Sequence, residues 1–123
     1  LKILLVDDNI LNQKVVVFHL RKYKYDVVGV TNWRDAMEEI RINPPDLVLM
    51  DIMLPEKNGF EITADIRQYE KEQGKEKGVP IIALTANTLD NDKDKCLKAG
   101  MNDYLPKPFS PEELYAVIEH FTP

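Results

Sequence analysis

Short apolar runs recur along the chain at 3–6, 27–30, 47–50 and 79–84, with a weaker one at 103–105. Between them lie longer segments in which apolar residues return every three or four positions, at 11–23, 34–42, 60–72, 89–99 and 112–121. The longer spacing lines up one face of a helix, whereas the short runs rich in Val, Ile and Leu read as strands. The result is a fivefold alternation of strand and helix. Runs such as "DLVLM" and "PIIAL" lack polar alternation, which predicts strands covered on both faces, as in a parallel sheet with a helical layer on each side. Punctuation agrees: Thr31 or Asn32 can cap the second helix, Gly100 can end the fourth, and Ser110-Pro111 opens the fifth with a cap and a first-turn proline. No repeat is present. The stretch "YEKEQGKEKG" reads as a charged helix end running into a solvated turn.

A sheet wound in this way binds ligands beyond the carboxyl ends of its strands. Asp7 and Asp8 end the first strand, Asp51 the third and Thr85 the fourth, while Lys107 follows the fifth. All therefore fall on one edge. Composition narrows what that edge can serve. The 123 residues suffice for one domain with a core of its own, and 44% hydrophobic against 30% charged residues is an ordinary globular mixture. No run is long enough for a transmembrane helix and no signal-peptide pattern occurs, so the domain is expected to be cytoplasmic and to make no membrane contact. Cys96 is a lone thiol, expected to be buried or half-buried, and it offers no disulfide or metal pattern. With 21 acids against 16 bases the net charge of −5 argues against sequence-independent nucleic-acid binding and suits a site that collects a cation. The sequence begins at Leu1 without an initiator Met and stops at Pro123, and residues 1–123 are expected to be one domain cut from a longer chain.

Three carboxylates and an ammonium on one edge have a definite chemistry. Mg²⁺ prefers oxygen ligands, typically one or two carboxylates with waters and a phosphate oxygen. Asp51, leaving a buried strand, can serve both as a ligand and as a carboxylate nucleophile toward phosphorus. Thr85 can donate its hydroxyl to a phosphoryl oxygen, and Lys107 can supply a positive charge. Phosphoryl transfer depends mainly on positioning and charge neutralisation, so no further group is required.

The motifs "LLVDDN", "DLVLMDIMLPEKNGFE", "VPIIALTAN" and "CLKAGMNDYLPKPF" together resemble the receiver domain of two-component response regulators, over essentially the whole chain. The resemblance implies a flavodoxin-like fold with strand order 2-1-3-4-5. It implies Asp51 as phospho-acceptor, Asp7 and Asp8 as the acidic pair, and the Met53 backbone carbonyl as a further Mg²⁺ ligand. Thr85 becomes the switch hydroxyl, Tyr104 the switch aromatic and Lys107 the site lysine, with a cis bond between Lys107 and Pro108. Such a domain catalyses its own phosphorylation and dephosphorylation and turns over no external substrate. "EKNG" departs from the more usual Met-Asp-Gly yet keeps Gly59 for the turn. "DDNILNQKV", "ALTANT" and "CLKAGMNDYL" are most similar to the receivers of hybrid sensor kinases, which implies a histidine kinase or histidine phosphotransfer protein as partner and admits a phosphorylation-dependent dimer.

Each residue also has a plainer reading. Asp7-Asp8 alone would be a helix-capping turn, Asp51 a strand-ending turn residue, Thr85 a cap, Lys107 a surface charge, and Tyr104 simple packing. His19 and His120 read as ordinary helix residues. A Mg²⁺-dependent phosphohydrolase with an Asp nucleophile is the enzymatic rival, but it would be expected to carry Asp-x-Asp, and Asp51-Ile52-Met53 lacks the second acid. A non-phosphorylated receiver-like module would be expected to lack Asp8, Asp51 or Lys107, and a nucleotide-binding glycine loop is absent. The first helix has two apolar stripes: Val16, Leu20 and Tyr23 suit a core face, while Leu11, Val15 and Phe18 suit a second. That second stripe, with Pro108 and Phe109, is the expected docking surface for the histidine partner, and burial under the fifth helix is the alternative.

Overall fold

Every apolar run becomes a strand and every periodic segment a helix in the computed structural model, which describes residues 1–85 and 92–122. The order is β1 (Lys2–Val6), α1 (Ile10–Lys22), β2 (Asp26–Val30), α2 (Trp33–Ile42), β3 (Leu47–Asp51), α3 (Gly59–Glu72), β4 (Ile81–Thr85), α4 (Asp92–Ala99), β5 (Asp103–Pro106) and α5 (Pro111–His120). The five strands form one parallel sheet in the order β2-β1-β3-β4-β5, a flavodoxin-like doubly wound arrangement. The expected start of the fourth helix, at 89, lies outside the described residues.

Alternation along each strand divides the core into two layers. Leu4, Val6, Val48, Met50, Ile81 and Ala83 pack with Ala36 and Ile40 of α2, Ile62 and Ile66 of α3, and Cys96 of α4. Their neighbours Ile3, Leu5, Leu47, Leu49, Ile82 and Leu84 face the other way, onto Val16 and Leu20 of α1 and Leu114 and Ile118 of α5. Because both faces are covered, the strand sequences carry no polar alternation. Burying each such aliphatic side chain stabilises the fold by about 1.5–3 kcal/mol. The expected buried thiol is Cys96, which is fully enclosed.

Helix starts follow the capping chemistry. Asn32 caps α2 through the Asp35 N–H, and Ser110 caps α5 in a reciprocal box with Glu113 behind Pro111. Gly100, at φ 104°, ends α4.

Three expectations are corrected. "YEKEQGKEKG" is not wholly solvated: Glu70 is buried, its Oε1 accepting from Arg67 at 2.8 Å and its Oε2 from the Val79 N–H at 2.7 Å. The Val79 donor is thereby spent and Pro80 has none, so β4 starts at Ile81 rather than at 79. Tyr23 is not on the buried face of α1. It is 52% exposed, with its ring against Tyr115. No helix among the described residues is long and apolar enough to cross a membrane.

Candidate functional site

Strand register decides which side chains meet. Val6 pairs with Met50, so Asp7 and Asp51 leave adjacent strands at the same level. Asp51 pairs with Leu84, placing Thr85 one step beyond, and Thr85 pairs with Pro106, placing Lys107 just past β5. Tyr104 pairs with Ala83 and packs in the same core layer, two residues before Thr85 on the neighbouring strand.

Asp7 is fully buried, Asp51 nearly so, and Asp8 is exposed. One carboxylate oxygen from each lies within 4.8 Å of the others. Asp7 does not cap α1; Asn9 does, accepting from the Asn12 N–H. Asp7 Oδ1 instead accepts from the Asn9 N–H at 2.9 Å, while its Oδ2 is buried without a hydrogen-bond partner. Asp51 Oδ1 accepts from the Met53 N–H at 3.1 Å. Lys107 Nζ stands 3.6 Å from Asp51 Oδ2 and 3.9 Å from Asp7 Oδ2, too far for hydrogen bonds, so it acts there as a charge. Three carboxylates face one ammonium, and negative charge is in excess. Burial pushes the Asp51 carboxyl above its ordinary range; Lys107 and the Met53 N–H pull it down, and the Asp7 charge pushes it up again.

This arrangement fits a hard divalent cation. The donors are all oxygens, one of them a buried orphan, and their spread compares with the about 4.2 Å across an octahedral Mg²⁺ shell. The Met53 side chain is 75% exposed, so its part here is played by its backbone. The Lys107-Pro108 bond is cis, and the Lys107 N–H donates to the Thr85 carbonyl at 2.6 Å. Thr85 is buried and Tyr104 half-buried. Motif residues Ala86 and Asn87, beyond Thr85, lie outside the described residues.

The second stripe of α1 is open to solvent, which removes the burial alternative: Leu11, Val15 and Phe18 are 73%, 56% and 58% exposed. A groove of about 490 Å³ joins Asp7 and Lys107 to Val15, Pro108 and Phe109. Phe18 borders a different hollow, with Lys14, Arg21 and Lys22, and Leu11 lines neither, so the expected docking set does not share one groove.

One supporting residue, Gln13, was not singled out from the sequence, and Gly59, expected only in a turn, lies closer to the site than that. Gln13 Nε2 donates to the carbonyls of Asp7 at 2.9 Å and Val30 at 2.7 Å, tying α1 to the acid-bearing edge. A Cβ on Gly59 would stand 2.5 Å from the Asp51 carbonyl oxygen, so α3 can begin that close only with glycine. "EKNG" thus keeps the one residue the site's backbone needs. Gln13 and the glycine after "EKN" were visible, but the contacts of the one with Val30 and of the other with the Asp51 carbonyl were not.

The sequence model of the response regulator receiver domain matches residues 3–119. Histidine protein kinase 1 of Candida albicans is 40% identical over 96% of this chain, which corresponds to 5% of that protein. The chain spans only 5% to 14% of the length of the curated relatives it matches. The receiver domain of the Pseudomonas aeruginosa sensor histidine kinase PA1611, solved with a magnesium ion coordinated in its active-site cleft, is 42% identical. It superposes with a TM-score of 0.85 over 98% of this chain and 95% of that one. The Saccharomyces cerevisiae receiver domain of Ssk1, solved in complex with the histidine phosphotransfer protein Ypd1, is 34% identical with a TM-score of 0.86, over 99% of this chain and 86% of that one.

Proposed function

The chain belongs to the response regulator receiver domain family, and on that basis we propose that Asp51 takes a phosphoryl group from a phosphohistidine and that the domain thereby switches partner interactions in two-component signalling. The observation that carries this reading is the state of Asp51: Oδ1 is held by the Met53 N–H, while Oδ2 faces the Lys107 ammonium at 3.6 Å. A carboxylate oxygen oriented in this way can attack phosphorus. The Oδ–P bond forms as the P–N bond breaks, and the departing imidazole keeps its electron pair and takes a proton from water.

Asp7, Asp8, Asp51 and the Met53 backbone carbonyl would hold Mg²⁺. When bound, the ion neutralises charge on the phosphoryl oxygens. The orphaned Asp7 Oδ2 supports that assignment. Lys107 offsets negative charge beside Asp51 throughout, and Asn9 keeps Asp7 oriented. Thr85 would turn its hydroxyl toward the transferred group, and Tyr104, in the same layer, would repack behind it. The two packings then differ in free energy by what the phosphoryl group contributes to one of them.

The donor would be a histidine kinase or histidine phosphotransfer protein resting on Leu11, Val15, Phe18, Pro108 and Phe109. Support comes from the exposure of α1, the groove that ends at Asp7 and Lys107, and the related receiver solved with a phosphotransfer partner. A hybrid histidine kinase is the proposed parent, with this domain in the cytoplasm; support for the kinase comes from the relatives, which are histidine kinases, one of them a hybrid. A small phosphodonor with Mg²⁺ tests the reading. Asp51 should acquire a base-labile phosphate that Asp51→Asn abolishes, and undiminished labelling of that variant would refute it.

A further inference from the structure

Between Asp51 and α3 the chain makes a partly exposed excursion over 52–58, closed at its base by the Ile52 carbonyl, which accepts from Leu54 at 3.1 Å and Gly59 at 3.0 Å. Its middle is less constrained. Met53, Pro55 and Glu56 are exposed, and Glu56 stands at φ 64°, a conformation disfavoured for a side-chain-bearing residue. One side chain ties this middle to the helices. Lys57 Nζ donates to Asp65 Oδ2 of α3 at 2.7 Å, and the same oxygen accepts from Trp33 Nε1 of α2 at 2.9 Å. The ammonium also lies 4.2 Å from the centre of the Trp33 ring. An indole, a carboxylate and an ammonium thus form a closed triangle in which each member touches the other two.

The position of this triangle matters more than its strength. Lys57 and Asp65 are each 35% exposed at the side chain, and a pair so accessible to water does little for global stability. Its three members, however, come from three elements, the start of α2, the 52–58 loop and α3, and the first two of these lie next to the acids. Trp33 opens α2 just after β2, whose last residue, Val30, accepts the Asp7 N–H at 3.0 Å. Lys57 lies in the excursion that carries Met53, whose N–H holds Asp51. The triangle joins the start of α2, three residues after the Val30 that accepts the Asp7 N–H, to the loop beside Asp51.

We propose that Trp33, Asp65 and Lys57 act as positioning residues for the cation site, holding the 52–58 loop so that Met53 stays against Asp51 and thereby setting the affinity for Mg²⁺. This rests on the reading of Asp7, Asp8 and Asp51 as a cation site. None of the three touches the ion or the reacting atoms. Their effect is that of groups behind ligands, whose loss typically weakens metal binding about 10–100-fold.

The chain holds a single tryptophan, so indole emission reads the triangle alone. Mg²⁺ is titrated into the protein with calorimetry and Trp33 emission followed in parallel. In the wild type both should saturate with one midpoint. Lys57→Met keeps an unbranched apolar stem one atom shorter and removes the charge, and its Mg²⁺ affinity should fall about tenfold. Lys57→Arg, which preserves the charge, the stacking and the carboxylate contact, should recover most of it. Glu39→Gln breaks a comparably exposed ion pair with Lys2 at the opposite edge and should leave the affinity unchanged. If Lys57→Met fails to fold, Asp65→Asn removes the ion pair while leaving an acceptor for Trp33, and the same weakening is expected. Wild-type affinity in a folded variant whose emission shows the triangle opened would overturn the proposal while leaving the cation site intact. No binding heat in the wild type would overturn both.

Discussion

Replacing Asp51 with Asn should make the metal-free protein more stable, and the margin should depend on pH. The pairwise terms nearly cancel. At an effective dielectric of about 20, Lys107 at 3.6 Å attracts the Asp51 carboxylate by about 4.6 kcal/mol, while Asp7, within 4.8 Å, repels it by about 3.5. Asp8 sits in water, where the same separation is worth about 1 kcal/mol. What remains is the burial of an ionised group, on the order of 1–3 kcal/mol, and it decides the sign. Asn keeps the shape and an acceptor for the Met53 N–H but carries no charge. A gain of about 2 kcal/mol corresponds to about 8 °C for a domain of 123 residues.

The pH dependence follows from the raised carboxyl. Folded Asp51 binds its proton more tightly than it does unfolded, so ionisation costs stability. The advantage of Asn is full above the folded value, shrinks as pH falls through it, and is gone below the ordinary value of 3.8. Melting both proteins in chelator across that range checks this. An Asn variant that melts at or below the wild type at neutral pH, or an advantage that does not shrink on acidification, would refute the reasoning.

Mg²⁺ at ten times its dissociation constant should stabilise the wild type by about 1.4 kcal/mol, or about 5 °C, beyond an ionic-strength control, and should not stabilise Asp7→Asn comparably. Thr85→Ala should still accept phosphate from a small donor but lose the phosphate-dependent chemical-shift changes around Tyr104. Val15→Ser should slow transfer from a phosphohistidine protein and spare labelling by a small phosphodonor; equal losses with both would argue against the α1 docking face. Gly59→Ala should cost about 1–3 kcal/mol in chemical denaturation, because its Cβ would meet the Asp51 carbonyl oxygen at 2.5 Å.

Local signals were readable in proportion to how local their causes are. Strands buried on both faces announce themselves as unbroken apolar runs, and caps such as Ser110 sit beside the donors they satisfy. Asp7, Asp51, Thr85 and Lys107 were legible because a parallel sheet brings strand ends to one edge whatever the details of packing. Glu70 was not, since Arg67 is one helical turn away but Val79, whose N–H its Oε2 accepts, meets it only after the chain has turned back. Tyr23 has the helical spacing of a core residue, but it caps the end of α1, where its ring lies against Tyr115 and stays exposed. The triangle of Trp33, Lys57 and Asp65 spans three segments, and nothing in their spacing announces it.

The burial of Glu70 has a consequence for how this chain tolerates change. With its two oxygens bound to Arg67 and to Val79, Glu70 draws the two ends of the 71–78 segment together, while residues 71–77 stand in water. Closing a longer loop over fixed ends costs only about 0.6 kcal/mol per doubling of its length. The segment lies at the amino ends of the strands, opposite Asp51, and can therefore be lengthened, tagged or fused to a reporter while the acid-bearing edge keeps its geometry.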